Sequence, residues 1–173
     1  MLSLIASYVV LAAAGVGTKE ACPPQPAAEL MSLSYDSFDL SDGPTAWRVL
    51  LNRECVDVAV ATLQAYRQVN EARLTSEQRS EIHFHMGQAL AMSGRNADSI
   101  PHFKQAAATG GSAEWLAYIA AHLAFAQKDR PALERALAAY EKAAKPESMR
   151  LRFIRGFLQC IDKPYMEAAH CGV

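Results

Sequence analysis

A chain of 173 residues, 51% of them hydrophobic, is long enough for one domain with a sizeable core and room for a leader. Its 17 Lys and Arg against 18 Asp and Glu leave a net charge of -1, which lacks the basic excess expected of a nucleic-acid binder. Much of the hydrophobic content is Ala and Leu, strong helix formers, and the Gly and Pro residues fall mostly between periodic segments as helix punctuation.

Residues 2–17 are uncharged and apolar and turn polar at Thr18 and Lys19. The run is shorter than the roughly 20 residues needed to span a bilayer. Ala12, Ala14, Gly15 and Gly17 offer small residues for cleavage, so residues 1–17 read as an export signal peptide. No Lys or Arg precedes the run, which leaves an uncleaved N-terminal anchor as the alternative and makes membrane contact conditional on it. The residues before Cys22 do not suit lipid modification. The expected location is the periplasm or the cell exterior.

Four cysteines follow the leader: Cys22, Cys55, Cys160 and Cys171. An even count after an export signal suggests disulfides, with three connectivities open. None of the pairs has the C-x-x-C spacing of a redox dithiol or zinc ribbon. Pairing nearest neighbours gives Cys22–Cys55 and Cys160–Cys171. The second is in tension with a tight turn at residues 162–164, which would carry Cys171 about 10 Å along the next helix. A disulfide needs Cα atoms within about 7 Å, so the chain must bend back near Ala169 and His170.

Residues 18–45 form a Pro-rich, then Ser-rich and acidic extension without helical period. It is either a linker or an arm laid on the helical body, anchored by Tyr35, Phe38 and Leu40 and tied by Cys22. From residue 46 to 173 the pattern is helical. A short helix over residues 46–53 groups Trp47, Leu50 and Leu51. A second, over residues 56–69, sets Val56, Ala59, Leu63, Tyr66 and Asn70 on one core stripe. Thr75 and Gln78 form a capping box that starts a helix near Ser76. Met86, Gly87 and Leu90 make its packing side, and Gly94 ends it. Asn96 or Asp98 caps the following helix, with Pro101 near its first turn and Ser99, Phe103 and Ala106 inward.

This pattern of large apolar residue, Gly, Leu, small residue, Phe and Ala resembles the tetratricopeptide repeat. A shift of 34 residues takes Met86 and Gly87 to Ala120 and Ala121, Ser99 to Leu133, Phe103 to Leu137 and Ala106 to Tyr140. Asp129 and Pro131 open the second helix of that copy. A weaker copy follows Pro146, with a helix over residues 149–161, a turn at residues 162–164 and a short helix over residues 165–170. The resemblance implies an all-α fold, a short right-handed solenoid of about three to four antiparallel hairpins with an extended N-terminal arm. Gly87 lets paired helices approach; Met86, Leu90, Phe103, Ala121 and Leu137 serve repeat packing.

The resemblance also implies a ligand groove along the first helices of the hairpins. By register that groove takes Phe84 and Gln88, then Trp115, Tyr118, His122 and Phe125, then Arg150, Phe153 and Phe157. Aromatics at helical spacing are more often buried than open, in the core, under the arm at residues 35–40, or against a second copy. The family's charge clamp for C-terminal carboxylates lacks its Lys, Arg and Asn here. Five histidines (His83, His85, His102, His122, His170) do not show metal-ligand spacing, and no cofactor is indicated. Lys142, Lys145, Arg150, Arg152 and Arg155 form a basic stretch read as a solvated face. Neither G-x-S-x-G, H-E-x-x-H, a phosphate-cradling loop nor a paired carboxylate setting occurs. The expected function is a non-enzymatic module that binds a protein or peptide partner. A self-assembling structural subunit with its aromatic face buried in a homo-oligomer is the second reading, and an enzyme with an unrecognised site the third.

Overall fold

A computed structural model describes residues 21–144 and 148–171. Residues 1–17, read as a leader, lie outside the described residues, as do Lys145 and Pro146. A 3-10 turn (Ala28–Ser32) leads into α1 (Tyr35–Asp39), α2 (Trp47–Asn52), α3 (Val56–Asn70) and α4 (Ser76–Met92). Then come α5 (Asn96–Thr109), α6 (Ala113–Ala126), α7 (Arg130–Ala143), α8 (Met149–Gln159) and α9 (Tyr165–Ala169), and no strand occurs among the described residues. Consecutive helices pack on one another, most extensively α4 on α5 and α6 on α7.

Local chemistry accounts for most helix starts. The Gln78 N–H donates to Thr75 Oγ1 at 3.1 Å, and the Thr75 N–H donates to Gln78 Oε1 at 3.0 Å, the reciprocal box expected from their spacing. Asp129 accepts from the Ala132 N–H at 2.9 Å with Pro131 in the first turn of α7. Ser112 and Ser148 cap α6 and α8 in the same way, each such cap being worth about 1 kcal/mol. The start of α5 differs from expectation. Its helix already includes Asn96 and has no side-chain cap. Asp98 is drawn instead to Arg95 Nε at 2.8 Å. Pro101 therefore sits inside α5, not at its first turn.

The core divides into two clusters with α4 between them. Ile82 and Met86 of α4 join Trp47, Leu50, Ala59, Leu63 and Tyr66. Phe84 and Ala91 of α4 join Phe103, Ala121, Phe125, Leu133, Tyr140 and Phe157. Burial of such a side chain is worth about 1.5–3 kcal/mol, so α4 is the element both halves depend on. The repeat-packing positions Met86, Gly87, Leu90, Phe103 and Ala121 are buried, whereas Leu137 is only partly buried. Ala120 is exposed although its counterpart Met86 is buried. The buried face of α6 runs through Ala117, Ala121 and Ala124 instead. On α3, Ala59, Leu63, Tyr66 and Asn70 are buried and Val56 is half-buried.

From residue 21 onward the N-terminal extension is an ordered arm. Phe38 stacks on Tyr66 with ring centroids 3.7 Å apart, the Tyr66 hydroxyl donates to the Leu33 carbonyl, and the Asn70 amide to that of Met31. Tyr35 donates to Glu81 at 2.8 Å. Leu40 is not an anchor: it is 79% exposed, because α1 ends at Asp39, whose carboxylate is gripped by Arg48. The arm lies against α3 and α4, not over Trp115 and Phe125. Cys22 bonds to Cys55 with Cα atoms 5.5 Å apart, fastening the arm to the start of α3.

At the other end Cys160 bonds to Cys171 with Cα atoms 6.2 Å apart. The bend this pair requires is present. α9 stops after five residues, His170 leaves helical geometry, and the Cys171 N–H donates to the Ala168 carbonyl. Gly156 provides the room. The carbonyl oxygens of Ala168, Ala169 and Cys171 all crowd the place where its side chain would be, four residues before Cys160, which caps the end of α8.

Candidate functional site: an aromatic cavity between five helices

Five helices each contribute residues four apart to one cavity of about 310 Å³: Trp47 and Leu51 from α2, Gln88 and Met92 from α4, Tyr118 and His122 from α6, Phe153 and Phe157 from α8, Tyr165 and Ala169 from α9. Residues four apart lie on one helical face, so each helix presents one stripe to a shared space. Arg48, Asn52, Met166 and His170 complete the wall. The volume is at the small end of ligand sites, and the mix of aromatic surface with a few polar groups is typical of them.

His122 is at the centre of the aromatic packing. Its ring lies within 4.4 to 5.7 Å of the rings of Tyr118, Phe84, Phe157, Phe103 and Tyr165. Its Nδ1 is 2.7 Å from the Tyr165 hydroxyl. Burial, and secondarily the charge of Arg150, pushes its pKa down to about 3. It is therefore neutral at ordinary pH, suited to hydrogen bonding and poorly suited to moving protons. Burial pushes the Tyr165 phenol well up, Tyr118 adds to the rise, and Gln88 acts in the opposite direction. Gln88 and His122 are equivalent positions by the repeat register and line the same cavity. Tyr118 is raised chiefly by burial too, with Arg150 opposing.

The second polar edge is the Arg48–Asp39 pair. Arg48 forks onto the Asp39 carboxylate at 2.9 and 3.0 Å and lies 4.0 Å over the Trp47 ring. His85 Nδ1 is 3.3 Å from the same carboxylate. Burial would raise the Asp39 carboxyl, but the nearby His85 ring and the Arg48 fork outweigh it and hold it below the usual carboxylate range.

Of the side chains expected on a groove, Gln88, Tyr118, His122 and Phe153 do line this cavity, and Phe157 with them. Phe84, Trp115 and Phe125 do not. They are core residues, 3%, 6% and 0% exposed. Trp115 Nε1 donates to Ser80 Oγ at 2.8 Å, which in turn donates to the Ala106 carbonyl, a buried tie between α4, α5 and α6. Phe84 packs edge-on to Trp115, and Phe125 stacks on Phe157. Trp115 is thus covered by Phe84 of α4, and Phe125 by Phe157 of α8 and Tyr165 of α9. Arg150 is exposed, lying 5.1 Å over the Trp115 and Tyr118 rings and 3.7 Å from Glu114.

Sequence reasoning missed Trp47, Arg48 and Tyr165 as wall residues, since each lies on a short terminal helix outside the well-formed repeats. Their signal was the same i, i+4 spacing, at Trp47 and Leu51 and at Tyr165 and Ala169. Lys128 helps hold α9 in place, its ammonium donating to the carbonyls of Ile161 and Lys163 at 2.5 and 3.1 Å. His83 and His102 rings lie 6.2 Å apart. No group of three or more His, Cys, Asp or Glu able to hold a metal occurs among the described residues. No described helix is long and apolar enough to cross a membrane, and two disulfides are compatible with an oxidising compartment. Compared with protein-family models, curated proteins and solved structures, the chain matches none.

Proposed function

We propose that the helices form a short right-handed stack of tetratricopeptide-like hairpins and that the protein is a non-enzymatic binding module of the periplasm or cell exterior. Its partner is a protein or peptide segment that enters the cavity on the first-helix side of the stack. The observation that carries this reading is the cavity itself, with five helices each giving a stripe of residues to one aromatic space. The tight α4–α5 and α6–α7 pairing and the buried Gly87 support the repeat architecture. The two disulfides, with the leader expected at residues 1–17, support the compartment. Self-assembly through the aromatic stripe loses its motive, because Phe84, Trp115 and Phe125 are covered within one chain.

The test is a selection of random displayed peptides on the purified protein, counter-selected on Met166→Trp. Met166 is 41% exposed on the cavity wall, so the larger ring obstructs entry without touching the deep core. The expected result is a shared sequence pattern that binds the unsubstituted protein and is depleted by the variant. Peptides that bind both proteins equally, or no enriched pattern, would count against the reading.

A further inference from the structure

Met92 and Met166 are 36% and 41% exposed, among the few large apolar side chains left open to solvent. Both line the aromatic cavity, and both also line a second hollow beside it, bounded by Leu51, Val56 and Ala89. The two thioethers therefore sit on the ridge that the hollows share, one from α4 and one from α9, helices that pack on each other. His170 lines the same cavity four residues after Met166, the spacing that puts two side chains on one helical face. Its ring meets that of Phe153 edge-on and makes no hydrogen bond among the described residues.

Thioethers alone would suit an adaptable apolar lip. A histidine beside them makes a donor set of two sulfurs and one nitrogen, and that set has a narrow preference. Thioether sulfur is a soft ligand that selects Cu(I), and imidazole nitrogen also suits copper. A thioether has no proton to lose, so it ligates without the deprotonation a thiol requires.

The surroundings exclude the commoner alternatives. No Asp or Glu lines the aromatic cavity among the described residues, so calcium or magnesium, which take oxygen ligands, find no carboxylate there. All four cysteines are bound in disulfides, which removes the thiolates of a structural zinc site and leaves methionine and histidine as the soft donors. Arg48 on the same wall is balanced by the Asp39 carboxylate, so a monovalent cation meets no unbalanced positive charge from it. The backbone that carries two of the donors is also held. Cys171, next to His170, is tied to α8, and Lys128 grips the turn before α9 through the Ile161 and Lys163 carbonyls. Ligands on a fixed segment lose little freedom on binding.

We propose that Met92, Met166 and His170 form a binding site for one soft monovalent cation of the Cu(I) class, joining α4 to α9 at the lip of the cavity. The site needs no partner chain, so it stands or falls independently of the peptide-binding reading.

The experiment titrates Ag(I), an air-stable ion of the same charge and softness, into the full-length folded protein in chloride-free buffer, with Zn(II) as the comparison. Methionine methyl and histidine ring signals are followed by NMR. The expected result is saturation at one Ag(I) per chain, with the Met92 and Met166 methyls and the His170 ring moving together. The Met149 methyl, on a residue 61% exposed and outside both hollows, should stay unmoved. Zn(II) should bind at least about tenfold more weakly, since thioethers favour the softer ion. Met92→Leu and Met166→Leu keep nearly the same volume, and each should weaken Ag(I) at least about tenfold through loss of one sulfur. Met149 shifting in parallel with Met92 and Met166 would overturn the proposal, because it would mean capture by any exposed thioether. An unmoved His170 ring, Zn(II) binding as tightly as Ag(I), unchanged affinity in either Leu variant, or no Ag(I) binding at all would overturn it equally.

Discussion

A Cβ atom placed on Gly87 would lie 2.8 Å from two ring carbons of Phe103. Phe103 is fully buried on α5, so the ring has nowhere to retreat, and the closest approach of α4 and α5 depends on the absence of one methyl group. Gly87→Ala gains up to about 1 kcal/mol of helix propensity yet overpacks a fixed contact at about 1–3 kcal/mol. A net loss of about 1–2 kcal/mol is expected in urea unfolding. Adding Phe103→Leu should make the Gly87→Ala change less costly than it is alone. If Gly87→Ala stabilises the protein, the hairpin is looser than described.

Gly156 plays the matching part at the C-terminus, against main chain in place of a ring. Its Cβ would meet the Ala168 carbonyl oxygen at 2.5 Å and those of Ala169 and Cys171 at 3.1 Å. Backbone cannot rotate aside, so Gly156→Ala should push α9 away from α8. Hydrogen exchange checks this: amides of residues 165–171 should lose protection while those of α3 keep theirs. Uniform loss or no loss would contradict the local account.

His122 makes stability depend on pH. Its folded pKa of about 3 lies below the unfolded value of about 6.5, so the unfolded chain binds the proton more readily. The stability His122 contributes is complete above about pH 6.5 and is lost as pH falls toward about 3, at up to about 1.4 kcal/mol per pH unit. Burial depresses His83 and His102 as well, so they add slope of the same sign. Denaturant midpoints measured between about pH 7 and pH 4.5 should fall for the unsubstituted protein. His122→Phe should show a shallower fall across that window. An identical slope would mean that His122 is not buried neutral.

The disulfides are directly checkable. Non-reducing peptide mapping should recover Cys22–Cys55 and Cys160–Cys171 and neither alternative pairing. The first closes a loop of 33 residues and the second one of 11. Chain entropy makes Cys22–Cys55 worth about 3–4 kcal/mol and Cys160–Cys171 about 2–3 kcal/mol. Cys22→Ser with Cys55→Ser should accordingly cost more than Cys160→Ser with Cys171→Ser.

What could be read in advance follows from how local the determining interactions are. The α4 start is decided by two residues three apart, Thr75 and Gln78, and the close α4–α5 contact by Gly87 and Phe103, so both were legible. The helix over Tyr35–Asp39 was not. Five residues cannot hold a helix alone; it persists because Phe38 stacks on Tyr66 and Tyr35 reaches Glu81, contacts far apart in the chain. The site was half legible for the same reason. Register placed Gln88, Tyr118, His122 and Phe153 on one side, and all four line the cavity. Whether that side was open depended on where α8 and α9 settle. They close over Phe125 and Phe84's neighbours and leave the cavity beside Tyr165, which no spacing rule announces.

Methionine methyl groups offer the most direct measurement of the central claim, that the cavity is where a partner peptide binds. Met92 and Met166 are on or beside its wall, while Met149 is exposed elsewhere, at 61%. With the methionine methyls labelled and a peptide from the selection added, the account predicts shifts and intermolecular NOEs at Met92 and Met166. Met149 should be silent. Contacts at Met149, or at the exposed Leu40 and Val69, with Met92 and Met166 unmoved, would contradict it.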